Sequence, residues 1–126
     1  MPVVLKIDPH RRVVYSAFYG AITDAELGGH RSAIASDPDF NPEFNDIVDF
    51  TDVTRADISE ATLAAMAASL SLFGKSVLHI VVAPTDPVLG IVNRYKELTR
   101  TSRPNFHVVR TRAEAYRLLP GAPKTK

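Results

Sequence analysis

The pattern of hydrophobic and polar positions predicts strands that alternate with helices. The clearest unit opens with the apolar run from Val77 to Ala83, which contains no turn residue. Such a run is typical of a strand covered on both faces, as in the parallel sheets of α/β proteins, and we expect it to form the middle of the sheet. A capping residue and a proline at Thr85 and Pro87 then start a helix over 86–99. One stripe of that helix carries Val88, Ile91, Val92, Tyr95 and Leu98.

The other segments of the chain follow the same alternation. Short apolar runs predict strands at 3–7, 13–19, 46–50 and 106–110. Thr-x-x-Glu capping patterns that begin at Thr23 and Thr111 predict the first and last helices. Asp57 and Glu60 predict an alanine-rich helix over 57–73, which Gly74 ends. Residues 51–55, between a strand and that helix, are expected to form a polar turn.

This order of elements predicts the fold class. The link between the first two strands is too short for a crossover helix, so these strands should pair as an antiparallel hairpin. The later strands are separated by helices and should run parallel. The sequence therefore predicts an α/β fold, with a mixed five-stranded sheet flanked by four helices. Residues 1–121 are expected to form a single domain and residues 122–126 a flexible tail.

Composition narrows the functional classes. The chain has 126 residues, a formal net charge of +1 and no cysteine. The charge gives no attraction to nucleic acid, and the missing thiols exclude disulfides and a cysteine nucleophile. Lys6 and Asp8 interrupt the N-terminal apolar stretch before a signal peptide could form, so a cytoplasmic protein is expected.

Several segments together are similar to a known family. They are Tyr19–Thr23, Asp49–Thr54, Val82–Asp86 with the later Gly90 and Tyr95, and Val108–Leu119. This pattern resembles the bacterial SpoIIAA-like family of STAS-like domains. The resemblance implies a mixed sheet flanked by helices. It also implies relatedness to sulfate-transporter domains, to anti-sigma-factor antagonists and to lipid carriers with an apolar cleft, and it implies no catalytic activity.

The antagonists suggest a second, regulatory hypothesis. In them a phosphorylatable serine lies in an Asp-Ser-Ser-Gly setting at the start of the helix after the third strand. The corresponding stretch here, Asp49–Thr54, departs from that sequence. By position alone, the candidate phosphorylation sites are Thr51, Thr54 and Ser59. The alternative function is thus a regulatory domain that binds a protein partner.

Polar residues follow the predicted parallel strands. Ligands of open α/β sheets gather at the carboxyl ends of the strands, where helix N-termini favour an anion. The candidate residues at these ends are Thr51, Asp52, Thr54, Thr85, Asp86, Arg110 and Thr111. The competing interpretation is that the Thr and Asp side chains only cap their own helices.

Catalytic and metal chemistry have weaker support in the sequence. Asp49 and Asp52 form a carboxylate pair, but no other residue is spaced to complete a metal or acid–base site. A small enzyme that uses this pair is the last of three hypotheses, and no metal or cofactor is expected. His79, inside an apolar run, is expected to be a packed or hydrogen-bonded core residue.

The leading hypothesis rests on apolar residues. Leu72 and Phe73, near the end of the alanine-rich helix, cannot both face the core with Leu70, so an exposed contact is expected for one of them. Small alanines on this helix would let another helix approach closely, or leave room for a ligand between the helix, the helix over 86–99 and the sheet. The competing interpretation is ordinary alanine-rich packing. The candidate binding residues there are Met66, Leu70, Phe73, Ile91 and Tyr95. The sequence thus predicts a non-enzymatic protein that binds an apolar small molecule or lipid, associates with a membrane, or contacts a second copy of itself.

Overall fold

The elements follow the order that the sequence predicts. The computed structural model describes residues 3–69 and 71–120, so Leu70 and the predicted tail at 122–126 lie outside the described residues. The strands are β1 Val3–Asp8, β2 Val13–Thr23, β3 Asn45–Asp57, β4 His79–Val82 and β5 Phe106–Val109. The helices are α1 Asp24–Ser36, α2 Glu60–Ala68, α3 Asp86–Leu98 and α4 Arg112–Leu118.

The sheet has the predicted mixed topology. Its strand order is β1-β2-β3-β4-β5, with β1 antiparallel to β2 and every other pair parallel. The α/β class, the hairpin and the parallel remainder are confirmed. The prediction that Val77–Ala83 forms the middle of the sheet is wrong in one respect, because β3 is the middle strand and β4 lies beside it. All four residues of β4 are nevertheless buried, as the apolar run predicts.

The predicted polar turn at 51–55 is wrong, because these residues belong to β3. They continue the strand by pairing with β2, whose register runs to Thr23 opposite Asp57. Polar side chains alternate with the buried Val53, which is the period of a strand with one solvated face. The second strand also runs past its predicted end at residue 19, because Gly20 adopts φ +70° inside an irregular pairing that a glycine tolerates and β2 continues to Thr23.

The second helix is shorter than predicted. Asp57 is the last residue of β3, and the helix cap is Ser59, whose Oγ accepts a hydrogen bond from the Thr62 backbone N–H. The helix ends at Ala68, well before Gly74. The capping box at Thr23 is confirmed, since the Glu26 carboxylate accepts bonds from the Thr23 N–H and hydroxyl. The cap at Thr111 is confirmed by its bond from the Glu114 N–H.

The helices cover the two faces of the sheet unequally. The front face, defined by the side chains of Phe18, Val48 and Val81, packs against α1, α2 and α3. The back face, defined by Ile47, Ile80 and Val82, packs against the seven-residue α4. Among the described residues, no helix combines the length and apolar character that crossing a membrane requires.

Candidate functional site

A cavity lies between the front face and the helices above it. Its volume is about 210 Å³. The sheet contributes side chains such as Val48, Val81 and Phe106, and the helices contribute Leu27 from α1 and Leu63 from α2. Most of this wall is hydrocarbon, so a ligand there would be held mainly by apolar contact.

The structure brings together most of the predicted apolar residues. Met66, Phe73, Ile91 and Tyr95 all line the cavity, while Leu70 lies outside the described residues. The spacing of Ile91 and Tyr95, one turn apart on α3, directs both side chains toward the sheet. The expectation that Leu72 or Phe73 is exposed is wrong, because both are half-buried and line the cavity. Phe73 also meets the Phe40 ring edge-on at 5.4 Å.

The cavity wall also contains a buried acid–histidine pair. Asp46 Oδ2 and His79 Nδ1 are 3.1 Å apart. Both residues are more than nine-tenths buried, with 9% of Asp46 and 6% of His79 exposed. The prediction of a hydrogen-bonded core histidine is confirmed. The other carboxylate oxygen, Asp46 Oδ1, has no hydrogen-bond partner among the described residues. A buried carboxylate therefore retains acceptor capacity beside an apolar space.

Aromatic rings surround this pair. His79 lies edge-on to Phe73 at 5.2 Å and is stacked with Phe106 at 6.3 Å. Both phenylalanines line the cavity, as does Tyr95, whose ring is 5.9 Å from that of Phe106. The polar atoms of Asp46 and His79 are thus set in an aromatic wall.

Further polar residues line the cavity, namely His30, Arg31, Ser69, Ser71 and Arg103. His30 Nε2 is 2.6 Å from the hydroxyl of the fully buried Ser16, and burial lowers the pKa of His30. The buried Arg103 holds its guanidinium over the Tyr95 ring at 5.7 Å. Burial also raises the pKa of Tyr95. Arg31, from α1, is exposed at the cavity.

Sequence reasoning missed Asp46, Arg103 and the contact of His30 with this space. The available signal was a titratable residue near the start of each of two buried strands, because Asp46 of β3 pairs with His79 of β4. That signal depends on knowing which strands are neighbours. Arg103 lies in a loop, where periodicity carries no information.

The predicted carboxylate pair lies on the opposite face of the sheet. Asp49 is fully buried and accepts bonds from the Tyr15 hydroxyl, from the Thr51 hydroxyl and N–H, and from Arg112 Nε at 2.5 Å. Arg112 also donates to Asp52 at 2.8 Å. Burial alone would raise the pKa of Asp49, but bonds from Thr51, Tyr15 and Arg112 outweigh it and hold that pKa below its usual value. The four acceptor positions of this carboxylate are filled, so it has the environment of a structural clamp.

Asp49 also shifts the pKa values of the side chains that donate hydrogen bonds to it. Burial and the bond to Asp49 raise the pKa of the Tyr15 hydroxyl. Hydrogen bonds to Asp49 and Asp52 raise the pKa of Arg112. The first residue of α4 is thereby held to the middle strand of the sheet.

The remaining predicted polar residues lie away from the cavity. Thr54 is exposed within β3, and Thr85 caps α3 without a side-chain hydrogen bond. Asp86 accepts a bond from Arg110 at 3.2 Å. Ser59 is exposed at the start of α2 and donates its hydroxyl and backbone N–H to Asp24. These positions belong to capping and to links between elements.

Fold and cavity define the class of the molecule: an α/β protein with a mixed sheet and an apolar chamber under three helices. Comparison with family models, with curated proteins and with solved structures finds no match to this chain. Membership of the SpoIIAA-like family therefore stays a prediction from the sequence segments above. The function of the chain is therefore inferred from its own geometry.

Proposed function

We propose that this protein binds a small apolar molecule in the cavity between the front face and α1, α2 and α3, without catalysing a reaction. The observation that carries the proposal is the cavity of about 210 Å³ with its largely hydrocarbon wall. An apolar cavity of about 150 Å³ is large enough to take up benzene. A ligand the size of one substituted ring suits this space.

The expected affinity follows from the surface that such a ligand buries. A ring-sized molecule buries roughly 150–250 Å² of apolar surface. At about 25 cal/mol per Å² this corresponds to roughly 4–6 kcal/mol. Part of that is lost in immobilising the ligand, so dissociation constants on the order of 0.1–1 mM are expected for simple rings. Tighter binding needs additional polar contacts.

The state of the other candidate centre supports a non-catalytic role. A general base needs a free acceptor within reach of a substrate proton. Asp49 has none, because its oxygens receive four hydrogen bonds from Tyr15, Thr51 and Arg112. Its lowered pKa also makes it a poor base at neutral pH.

Adjacent glycines on α1 allow a direct test. Gly28 lines the cavity and Gly29 does not, and a Cβ added at either position meets no atom within 4 Å. We expect Gly28→Phe to fill the cavity mouth and weaken binding of benzene or toluene at least tenfold. Gly29→Phe is the matched control and should bind like the unaltered protein. Calorimetric titration or ligand-observed NMR measures both.

A complementary measurement asks whether the purified protein already carries a ligand. A natural ligand that adds polar contacts to its apolar ones should stay bound through purification. Native mass spectrometry followed by organic extraction should then recover it from the unaltered protein and not from Gly28→Phe. The proposal fails if neither benzene nor toluene binds the unaltered chain at millimolar concentration. Equal affinities of the two glycine variants would also contradict it.

A further inference from the structure

The Asp46 carboxylate distinguishes this cavity from a purely apolar one. Among the described residues, His79 is the only one whose side chain bonds to it, and Oδ1 receives no hydrogen bond. The residue is 9% exposed, so bulk water does not compensate for the missing bond. A buried acceptor without a donor is unfavourable. Asp46 lines the cavity with a side chain that is 12% exposed, so its carboxylate can reach a donor on a ligand by turning about the Cβ–Cγ bond, and that bond would remove the penalty.

The charges on the wall restrict the kind of donor. Arg31 and Arg103 line the same cavity, and no acidic side chain other than Asp46 does so among the described residues. Two guanidinium groups disfavour a ligand ammonium in a space of low polarity. A ligand carboxylate would instead face the carboxylate of Asp46. A neutral O–H group avoids both conflicts.

The rings on the wall restrict the body of the ligand. The His79 imidazole, which is bonded to the carboxylate, lies 5.2 Å from the Phe73 ring and 6.3 Å from the Phe106 ring. Flat rings pack edge-on or offset against such a wall with a gain beyond their buried area. An aromatic body with its hydroxyl toward Asp46 uses both features.

We propose that the ligand is an uncharged phenol or a similar hydroxylated ring, whose O–H donates to the Asp46 carboxylate while its ring packs among Phe73, His79 and Phe106. This inference rests on the proposed function, since it identifies the ligand class of the same cavity. It makes Asp46 the residue that determines specificity.

The test compares ligands of equal size in the unaltered protein. Phenol and toluene have the same number of heavy atoms, and a purely apolar cavity prefers toluene because it is the less hydrated of the two. We expect phenol to bind at least as tightly as toluene, and about 3- to 10-fold more tightly than anisole, which has no O–H. That factor is the ratio expected for one net hydrogen bond. Titration calorimetry at pH 7 and fixed salt gives the three constants.

Variants then assign the preference to one residue. Asp46→Leu should lower the phenol-to-toluene affinity ratio at least tenfold, and Asp39→Leu, on an exposed loop, should leave it unchanged. If Asp46→Leu does not fold, the comparison of phenol with toluene in the unaltered protein decides the question, because these two ligands are equal in size.

The outcomes separate the two proposals. A clear preference for toluene over phenol that Asp46→Leu leaves unchanged would overturn the phenol inference and leave the proposed function standing. Tighter binding of benzylamine or benzoate than of phenol would overturn the choice of a neutral ligand. Failure of every ring to bind would overturn the proposed function, and this inference with it.

Discussion

Asp49 shows how one buried side chain joins two layers of the molecule. Its carboxylate lies on the middle strand and accepts a bond from Arg112, the first residue of α4. Asp52, also bonded to Arg112, has a side chain that is 63% exposed. The two ion pairs share the 44% exposed Arg112 and differ in the burial of the carboxylate, so water screens the Asp52 pair more than the Asp49 pair.

The two carboxylates should therefore differ in their effect on stability. Asp49→Ala leaves the Tyr15 hydroxyl, Thr51 and Arg112 without their shared acceptor, and we expect a loss of about 2–4 kcal/mol in the free energy of unfolding. Asp52→Ala should cost about 0–1 kcal/mol. Urea unfolding followed by circular dichroism measures both losses. Equal losses would show that the buried Asp49 contributes no more to stability than the exposed Asp52.

His30 predicts a dependence of stability on pH. Burial lowers the pKa of His30 in the fold below its unfolded value, so the unfolded chain binds the proton more readily. Stability from this residue is present above a pH of about 6.5, the ordinary value, and falls as the pH drops below it. His30→Gln should reduce the loss between pH 7 and pH 5. An identical pH profile for the variant and the unaltered protein would contradict this assignment.

Ile91 and Tyr95 of the candidate site were predictable because they follow a helical stripe. Ile91 and Tyr95 lie one turn apart on α3, so the sequence places both toward the sheet. Asp46 and His79 are 33 positions apart and meet only because β3 and β4 pair in one particular register. Single-chain periodicity contains no information about that register.

At the scale of elements, α1 contains an avoidable weakness. Gly28 and Gly29 lie inside this helix, and a Cβ at either position meets no atom within 4 Å. Each glycine costs about 0.5–1 kcal/mol relative to alanine in a helix interior. We expect Gly28→Ala and Gly29→Ala each to raise the unfolding free energy by that amount. Thermal unfolding should move upward by a few degrees, and a lower melting temperature would indicate a close contact at these positions.

The β4 strand should tolerate no charge. Val81 is 6% exposed and packs on the front face, so Val81→Asp buries a carboxylate without a partner at a cost of several kcal/mol. We expect insoluble or unfolded protein. Val4→Asp is the control, because Val4 is 44% exposed on β1, and it should fold normally. A soluble Val81→Asp protein with an unchanged melting curve would show that β4 is not an interior strand.

The errors in element bounds have a common physical cause. Residues 51–55 look like a turn because their polar side chains face solvent, yet pairing with β2 extends them as a strand. Asp57 looks like a helix cap, but it is still paired to Thr23 in that ladder. Tertiary pairing overrode local propensity at both places.

For the whole molecule, topology was predictable because few arrangements satisfy the order of elements. A short link forces the hairpin, and helices between later strands force parallel pairing. The volume left between α1, α2, α3 and the sheet was not predictable, since it depends on how far each helix stands from the strands. The cavity results from how the helices pack on the sheet, and the alanine content of α2 alone does not determine its volume.

Beyond the level of β4, the residues Tyr19–Thr23 and Asp52–Asp57 continue as a two-stranded ribbon. α1 begins directly after one strand of this ribbon, and α2 begins after two further residues beyond the other. A hydrogen bond from the Ser59 hydroxyl to Asp24 joins the two helix starts. Deleting two residues from each strand would keep the alternation of faces and draw both helix starts back by about 6–7 Å. The length of this ribbon therefore helps to set the volume of the cavity. Insertions or deletions in the ribbon would change the size of ligand that fits without altering any residue that contacts the ligand.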